Sequence, residues 1–298
     1  MIISHDNQIT DSIRSKLHGG LFIMDFDGTL LRSDRTFANL DLNALKRLGD
    51  QGVVRAIATG RSLYSFNTVA VSNLPVDFVI FSTGAGVFQH PGGQIVRKVS
   101  LEPQEVERAC VVLKAAKLDF MVHRTIPDNH AFAFFQSKGG NADFERRLSL
   151  YSRFAFPLVE SPSGFGPATQ LLAIVPPQSA KPVLENIRNE LSDFNVIQTT
   201  SPLDGESTWI EIFPTAVSKS LTAAWLAKEL GIDKRLIVAV GNDYNDLDLL
   251  EWSGMGYVVA NAPADLKTRF PAVASNNHSG VAEAVERWLA KKRRIFQS

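Results

Sequence analysis

The stretch Leu21-Phe22-Ile23-Met24-Asp25-Phe26-Asp27-Gly28-Thr29-Leu30 constrains this chain most. Four apolar residues run straight into two carboxylates separated by one position. Side chains alternate across a strand, so Asp25 and Asp27 share a side wherever extended geometry persists. Gly28 then lets the backbone turn sharply. An open parallel α/β sheet puts its ligand site beyond a buried strand that ends this way. Two carboxylates so close repel unless a cation lies between them or one keeps a proton. Magnesium chemistry on a phosphate uses that arrangement. The same ten residues also fit a plain strand followed by an Asp-Gly turn, so the rest of the chain has to decide.

The 298 residues are 45% hydrophobic and 21% charged, with a formal net charge of zero. This is an ordinary globular composition with length for one large or two medium domains. Zero net charge argues against a non-specific nucleic-acid binder. A single cysteine, Cys110, excludes an intrachain disulfide and any multi-cysteine metal site. It fits a reducing compartment and reads as a small buried hydrophobe. The N-terminal segment carries Asp6 and Asp11 and lacks the apolar core of a signal peptide. No run approaches the roughly 18 to 20 apolar residues of a membrane span. The expectation is a cytoplasmic protein with no nucleic-acid or membrane partner.

Residues before Gly19 are polar and read as a loose arm or short helix. Leu21 to Phe26 is the first strand. Leu42, Leu45 and Leu48 repeat at helical spacing, which predicts a helix over Asp41 to Gln51, ended by Gly52. Val53 to Thr59 is a second buried strand, giving a parallel pair with a right-handed crossover. Phe78 to Ser82 is a third strand, stopped by Thr83-Gly84-Ala85. Pro91-Gly92-Gly93 predicts a hairpin turn. From about Leu101 the texture changes. Predicted helices at 105–117 and 181–191 mix with strands at 131–136, 171–175 and 209–213, and several prolines punctuate them. After Pro214 the first texture returns. A helix over 218–230 leads to an apolar strand over 236–240, then a helix from Leu247, short strands at 257–259 and 272–274, and a closing helix over 281–292. The run Lys291 to Arg294 suits a helix C-terminus facing solvent. The fold class is therefore α/β: an open parallel sheet core over 1–84 and 214–298, interrupted by an inserted α+β lobe over 85–213.

Loops that leave predicted parallel strands carry the chemistry. Asp25 and Asp27 come from the first. Thr59 and Gly60 come from the second, a hydroxyl and a backbone N–H at a helix start that suit a phosphate oxygen. The loop after 236–240 supplies Asn242, Asp243, Asn245 and Asp246, oxygen donors suited to a hard cation. Lys219 opens the helix before that strand, where it can balance the carboxylates and hold a phosphoryl oxygen. Alone, each of these is as readily a turn, a cap or a solvated lysine; together, and in this order, they are specific. Within the inserted lobe, His123, Arg124, Asp128, Asn129 and His130 form a polar cluster that reads as a substrate-facing loop or an ordinary surface loop.

Asp25-Phe26-Asp27-Gly28-Thr29-Leu30, Thr59-Gly60-Arg61, Lys219 and Gly241-Asn242-Asp243-Tyr244-Asn245-Asp246 resemble the four motifs of the haloacid dehalogenase-like (HAD) phosphohydrolases. The flanks Trp209-Ile-Glu-Ile-Phe-Pro, Asn261-Ala262-Pro263 and Asn276-Asn277-His278-Ser279-Gly280-Val281 resemble the Cof-type branch, whose cap is inserted between motifs two and three. The resemblance implies a Rossmann-like core, a magnesium cofactor and hydrolysis of a small phosphorylated metabolite, such as a sugar phosphate, through an aspartyl-phosphate. It implies Asp25 as nucleophile and Asp27 as general acid and base. Thr59, Gly60 and Lys219 would bind the phosphoryl oxygens. Magnesium would lie on Asp25, the Asp27 carbonyl and the loop of Asn242, Asp243 and Asp246. A phosphomutase of the same fold, or a binding protein that keeps the fold, are the alternatives. Two departures stand out. The branch usually has Asn-Gly-Ala where this chain has Thr83-Gly84-Ala85, and Asn242 stands where the fourth motif usually has its metal-binding aspartate. In that register Asn242 ligates through its amide oxygen; otherwise Asp243 takes over.

Overall fold

The structure is a computed structural model and describes residues 2–4, 19–69, 73–137, 140–158 and 164–295. Apart from residues 2–4, the polar arm ahead of Gly19 lies outside the described residues. The strands run in order β1 (Ile2–Ser4), β2 (Leu21–Met24), β3 (Val54–Ala58), β4 (Phe78–Phe81), β5 (Gly86–Gln89) and β6 (Gln94–Ser100). Next come β7 (Phe120–His123), β8 (Phe132–Phe135), β9 (Ala155–Pro157), β10 (Gln170–Val175), β11 (Asn195–Thr200) and β12 (Thr208–Phe213), then β13 (Ile237–Gly241), β14 (Met255–Val259) and β15 (Ala272–Val273). The chain divides into two compact units. One holds His5–Arg61, Asn67–Arg97 and Ser218–Ser298; the other holds Met1–Ser4, Ser62–Phe66 and Lys98–Val217. The expected lobe boundaries were 85 and 213. Here β5 lies antiparallel on β4, within the first unit's sheet.

That sheet has the order β6-β5-β4-β3-β2-β13-β14-β15. β4, β3, β2, β13, β14 and β15 are mutually parallel. Strands buried on both faces need apolar residues at every position, not alternate ones. Leu21, Phe22, Ile23 and Met24 accordingly have no exposed surface. Chain order steps from β2 through β3 to β4 on one side, and β13 and β14 add on the other. The order therefore reverses at β2, and the crevice beyond its carboxyl end is where such sheets bind ligands.

The helix Asn39–Asp50 starts two residues later in the sequence expectation. Its Asp41 caps the closing helix Gly280–Ile295, accepting the Ala282 N–H on Oδ1 at 2.8 Å. Its Oδ2 is buried with no partner among the described residues. Burial pushes the Asp41 carboxyl up to about 6, against the pull of the Ala282 N–H and Arg32. The folded state thus holds this proton more tightly than the unfolded chain. The stability it contributes is complete below about pH 4 and is lost as pH rises through 6. Asp41→Asn should therefore come close to the parent at pH 4 and exceed it by about 2–3 kcal/mol at pH 7. Urea melts at the two pH values read this directly; an equal difference at both would contradict it.

In the second unit the sheet order is β11-β12-β10-β7-β8-β9. The helices Pro103–Ala115 and Ala180–Glu190 cover one face, where Val106, Leu113, Leu184 and Ile187 pack on Phe120, Leu171 and Ile210. Cys110 lies in that core, as expected, and burial pushes its thiol up to about 12. The other face packs Met121, Leu172, Ile174 and Trp209 against Phe144 of the helix Ala142–Leu150. β1, where the expectation was a loose arm or short helix, β7, β9, β11 and the helices Ala142–Leu150 and Ala264–Arg269 are absent from the sequence expectation. They are short or polar, and β11, at the sheet edge, reads Asn-Val-Ile-Gln-Thr-Thr, too weakly apolar to register. Among the described residues no helix is long and apolar enough to cross a membrane.

Candidate active site

Asp25 stands one residue beyond β2, where its N–H still donates to the Val240 carbonyl at 2.8 Å. That bond fixes it between β2 and β13. Lys219 opens the helix Lys219–Glu229, whose first turn is capped by the Ser218 hydroxyl accepting the Leu221 N–H. The Lys219 side chain is fully buried. Its Nζ donates to Asp25 Oδ1 at 2.7 Å and to Asp246 Oδ1 at 2.6 Å. Burial alone would lower the lysine's pKa, but Asp246 and Asp25 outweigh it and hold the pKa above the ordinary value. Burial pushes Asp25 up to about 7; Lys219 pulls it down, while Asp246 and Asp27 add to the rise.

Asp246 folds back over its own loop. Its Oδ2 accepts the N–H groups of Asn242 and Asp243 at 2.8 and 3.1 Å. A Cβ at position 241 would lie 2.6 Å from Asp246 Oδ2, so only glycine leaves room for this fold-back. Asp243 caps the turn that follows, its carboxylate accepting the Asp246 N–H. The two acids expected as metal ligands are thus engaged within the loop.

Asn242 is engaged differently. Its side-chain oxygen takes the Thr29 hydroxyl at 3.2 Å. That same atom lies 3.1 Å from Asp25 Oδ2 and 3.2 Å from the Asp27 carbonyl oxygen. With the amide turned over, its nitrogen would donate to all three of these oxygens. With the oxygen inward, the Asn242 oxygen stands beside a carboxylate oxygen and a carbonyl oxygen, acceptors that a hard cation would bring together. The residues present therefore fit a small hard cation held by one carboxylate, one amide and one carbonyl. Gly28, at φ +73°, makes the approach possible, because a Cβ there would lie 2.7 Å from the Asn242 amide nitrogen.

Asp27 meets Arg61, a residue whose role the sequence left unassigned. The guanidinium binds both carboxylate oxygens, Nε to Oδ2 and Nη2 to Oδ1, each at 2.7 Å. This bidentate pair fixes the carboxylate plane. Arg61 N–H also donates to the Thr59 hydroxyl oxygen at 3.1 Å. Thr59 is buried while Gly60 is exposed, and the Gly60 N–H has no acceptor among the described residues. The flanking motifs brace the first loop. Asn261 Nδ2 donates to the Gly28 carbonyl at 2.8 Å, and its Oδ1 accepts the Asn276 N–H at 3.0 Å. Asn276 Nδ2 in turn reaches the Leu31 carbonyl.

One crevice thus brings together Asp25, Asp27, Thr59, Gly60, Lys219, Asn242, Asp243 and Asp246, from loops of β2, β3 and β13 and one helix. A model of the haloacid dehalogenase-like hydrolases matches residues 22–285. The chain belongs to that family. It is an enzyme of the family's phosphatase branch. An HMP-PP phosphatase of Klebsiella pneumoniae is 25% identical, covering 90% of this chain and 95% of its own. The 5-amino-6-(5-phospho-D-ribitylamino)uracil phosphatase of Bacillus subtilis is 21% identical, covering 90% and 95%. Among solved structures, a HAD phosphatase from Bacteroides thetaiotaomicron superposes with a TM-score of 0.71 at 20% identity, covering 92% of this chain and 96% of that one. In the second unit of this HAD chain the polar cluster of 123–130 divides: Arg124 and Asp128 are exposed and Asn129 is buried. His123 is buried at the end of β7, its Nδ1 2.8 Å from the Asn129 carbonyl, and His130 stacks on Tyr64 at 4.5 Å.

Proposed function

We propose that this enzyme is a magnesium-dependent phosphatase of small phosphorylated metabolites that works through an aspartyl-phosphate on Asp25. The observation that carries the reading is the division of labour on that carboxylate: Oδ1 is held by Lys219, and Oδ2 lies 3.1 Å from the Asn242 amide, which also lies 3.2 Å from the Asp27 carbonyl oxygen. Asp25 attacks phosphorus, the bond from Asp25 oxygen to phosphorus forms, and the bond to the leaving oxygen breaks. Asp27 gives that oxygen a proton, then takes one from the water that attacks phosphorus and frees Asp25. Thr59, Gly60 and Lys219 bind the phosphoryl oxygens. Three carboxylates, Asp25, Asp27 and Asp246, face two cations, Lys219 and Arg61, so the site repels a phosphate dianion unless more positive charge is present. Asp25, the Asp27 carbonyl and Asn242 would hold a divalent cation, which would supply that charge. The relatives' substrates, a phosphoribityl compound and HMP-PP, support a small phosphorylated substrate. Phosphate release from p-nitrophenyl phosphate with and without magnesium, followed by a screen of phosphorylated metabolites, tests the reading. A protein that releases no phosphate from any of them would overturn it.

The engagement of Asp243 and Asp246 within their loop supports the Asn242 register for the cation. Asn242→Asp adds a carboxylate 3.1 Å from Asp25 Oδ2. It should tighten magnesium binding by about tenfold and lower the melting temperature of the metal-free protein. Asp243→Asn should leave magnesium affinity unchanged. Calorimetric magnesium titration with metal-free melts checks both. Tighter binding absent from Asn242→Asp, or weaker binding in Asp243→Asn, would count against this register.

A further inference from the structure

Ser82 and Thr83, just beyond β4, are consecutive non-glycine residues at positive φ, 49° and 55°. Side chains clash with the backbone there, most of all β-branched ones, so a buried threonine in this conformation is held by its surroundings. Both residues are buried. The conformation turns two successive N–H groups toward the loop after β3. Ser82 N–H donates to the Arg61 carbonyl at 2.8 Å and Thr83 N–H to the Thr59 carbonyl at 3.0 Å. The same turn is tied to the lysine-bearing helix, because the Thr222 hydroxyl donates to the Gly84 carbonyl at 2.8 Å.

A trans peptide points its N–H opposite to its C=O. Among the described residues the cis bonds are His90–Pro91 and Ile126–Pro127, so Thr59–Gly60 is trans. With the Thr59 carbonyl drawn to Thr83, the Gly60 N–H must face the other way. That N–H is the exposed donor without an acceptor described above. We propose that the left-handed pair Ser82–Thr83 is a positioning element that aims the Gly60 N–H at the substrate's phosphoryl group. This rests on the phosphatase reading. It also accounts for a departure in the sequence: asparagine, usual at position 83 in this branch, tolerates the left-handed region, whereas threonine needs the surrounding bonds to hold it there.

Thr83→Asn and Thr83→Val separate backbone from side chain, since both stay near threonine in size and both lose the hydroxyl. Asparagine accepts positive φ and valine resists it. With magnesium present, Thr83→Asn should keep orthovanadate affinity and kcat on p-nitrophenyl phosphate within about twofold, with an equal or higher melting temperature. Thr83→Val should lose about tenfold or more in both, measured well below its melting point. Equal losses in the two variants would make the hydroxyl the operative group and overturn the proposal, as would vanadate affinity retained in Thr83→Val. If the valine variant does not fold, a tenfold loss in Thr83→Asn overturns the proposal and retention supports it. A parent protein that binds vanadate but hydrolyses no ester would overturn the phosphatase reading alone, and the vanadate comparison would still judge this proposal.

Discussion

Lys219→Met is expected to abolish turnover and to cost about 3–5 kcal/mol of stability at pH 7. The lysine ammonium has no exposed surface and touches two carboxylates, Asp25 and Asp246, at 2.7 and 2.6 Å. Methionine fills most of the space but leaves both acids buried without their cation. Asp246 also anchors the Asn242–Asp243 backbone, so its discomfort spreads through the loop. Each uncompensated acid then favours its protonated form, which raises its folded pKa. The deficit should therefore be largest at neutral pH and shrink toward pH 5, as one carboxyl takes up a proton. Turnover should fall by about a thousandfold or more, because the phosphoryl group loses a fixed positive charge. Denaturant melts at pH 5 and 7 check the stability part. A variant as stable as the parent at both values would contradict the buried triad as described.

Asp25→Asn should be equally inactive, with stability moving the opposite way. The triad has one cation between two anions, and the amide removes one anion. The Asn oxygen still accepts from Lys219, and the pair of Lys219 with Asp246 stays intact. On the far side, Asn242 can turn its oxygen to the new amide nitrogen in place of the N–H it can offer Asp25 Oδ2 at 3.1 Å, so one hydrogen bond replaces another. The metal-free variant should be as stable as the parent or about 1 kcal/mol more stable. Loss of the nucleophile should lower turnover by about ten-thousandfold or more. Two inactive variants whose stabilities diverge in this way separate the chemical role of Asp25 from the structural role of Lys219. Residual activity above a few per cent in a clean Asp25→Asn preparation, or a loss of stability like that of Lys219→Met, would contradict the assignment.

The core was legible because its strands are buried on both faces. Leu21–Met24 and Ile237–Gly241 are continuous apolar runs that end in polar loops, and that pattern survives without knowledge of their neighbours. The inserted unit was less legible. Its sheet edges are half-polar and its strands alternate too briefly, so β7, β9 and β11 left no clear period. The residue types at the site were legible, but their pairings were not. Arg61 meets Asp27 because β2 and β3 are neighbours with Met24 opposite Ile57, which sets the two residues three and four positions beyond a paired point. That register was the signal available, and it needs the strand order first. Asp246 read as one more oxygen donor for a cation. Its turn back onto two backbone N–H groups depends on the missing Cβ of Gly241, a detail of close packing that composition does not carry.

The central claim is that phosphorus becomes covalently attached to Asp25, and trapping that intermediate tests it most directly. The parent enzyme, turning over a phosphate monoester with magnesium, is quenched in acid within the first turnovers and reduced with borohydride. An acyl phosphate is reduced to an alcohol, so aspartyl-phosphate at position 25 is recovered as homoserine. Peptide mass spectrometry should find homoserine at residue 25, in a fraction that rises with substrate, and aspartate at residue 27. Unmodified Asp25 throughout steady turnover, or the label on another acid, would contradict the account.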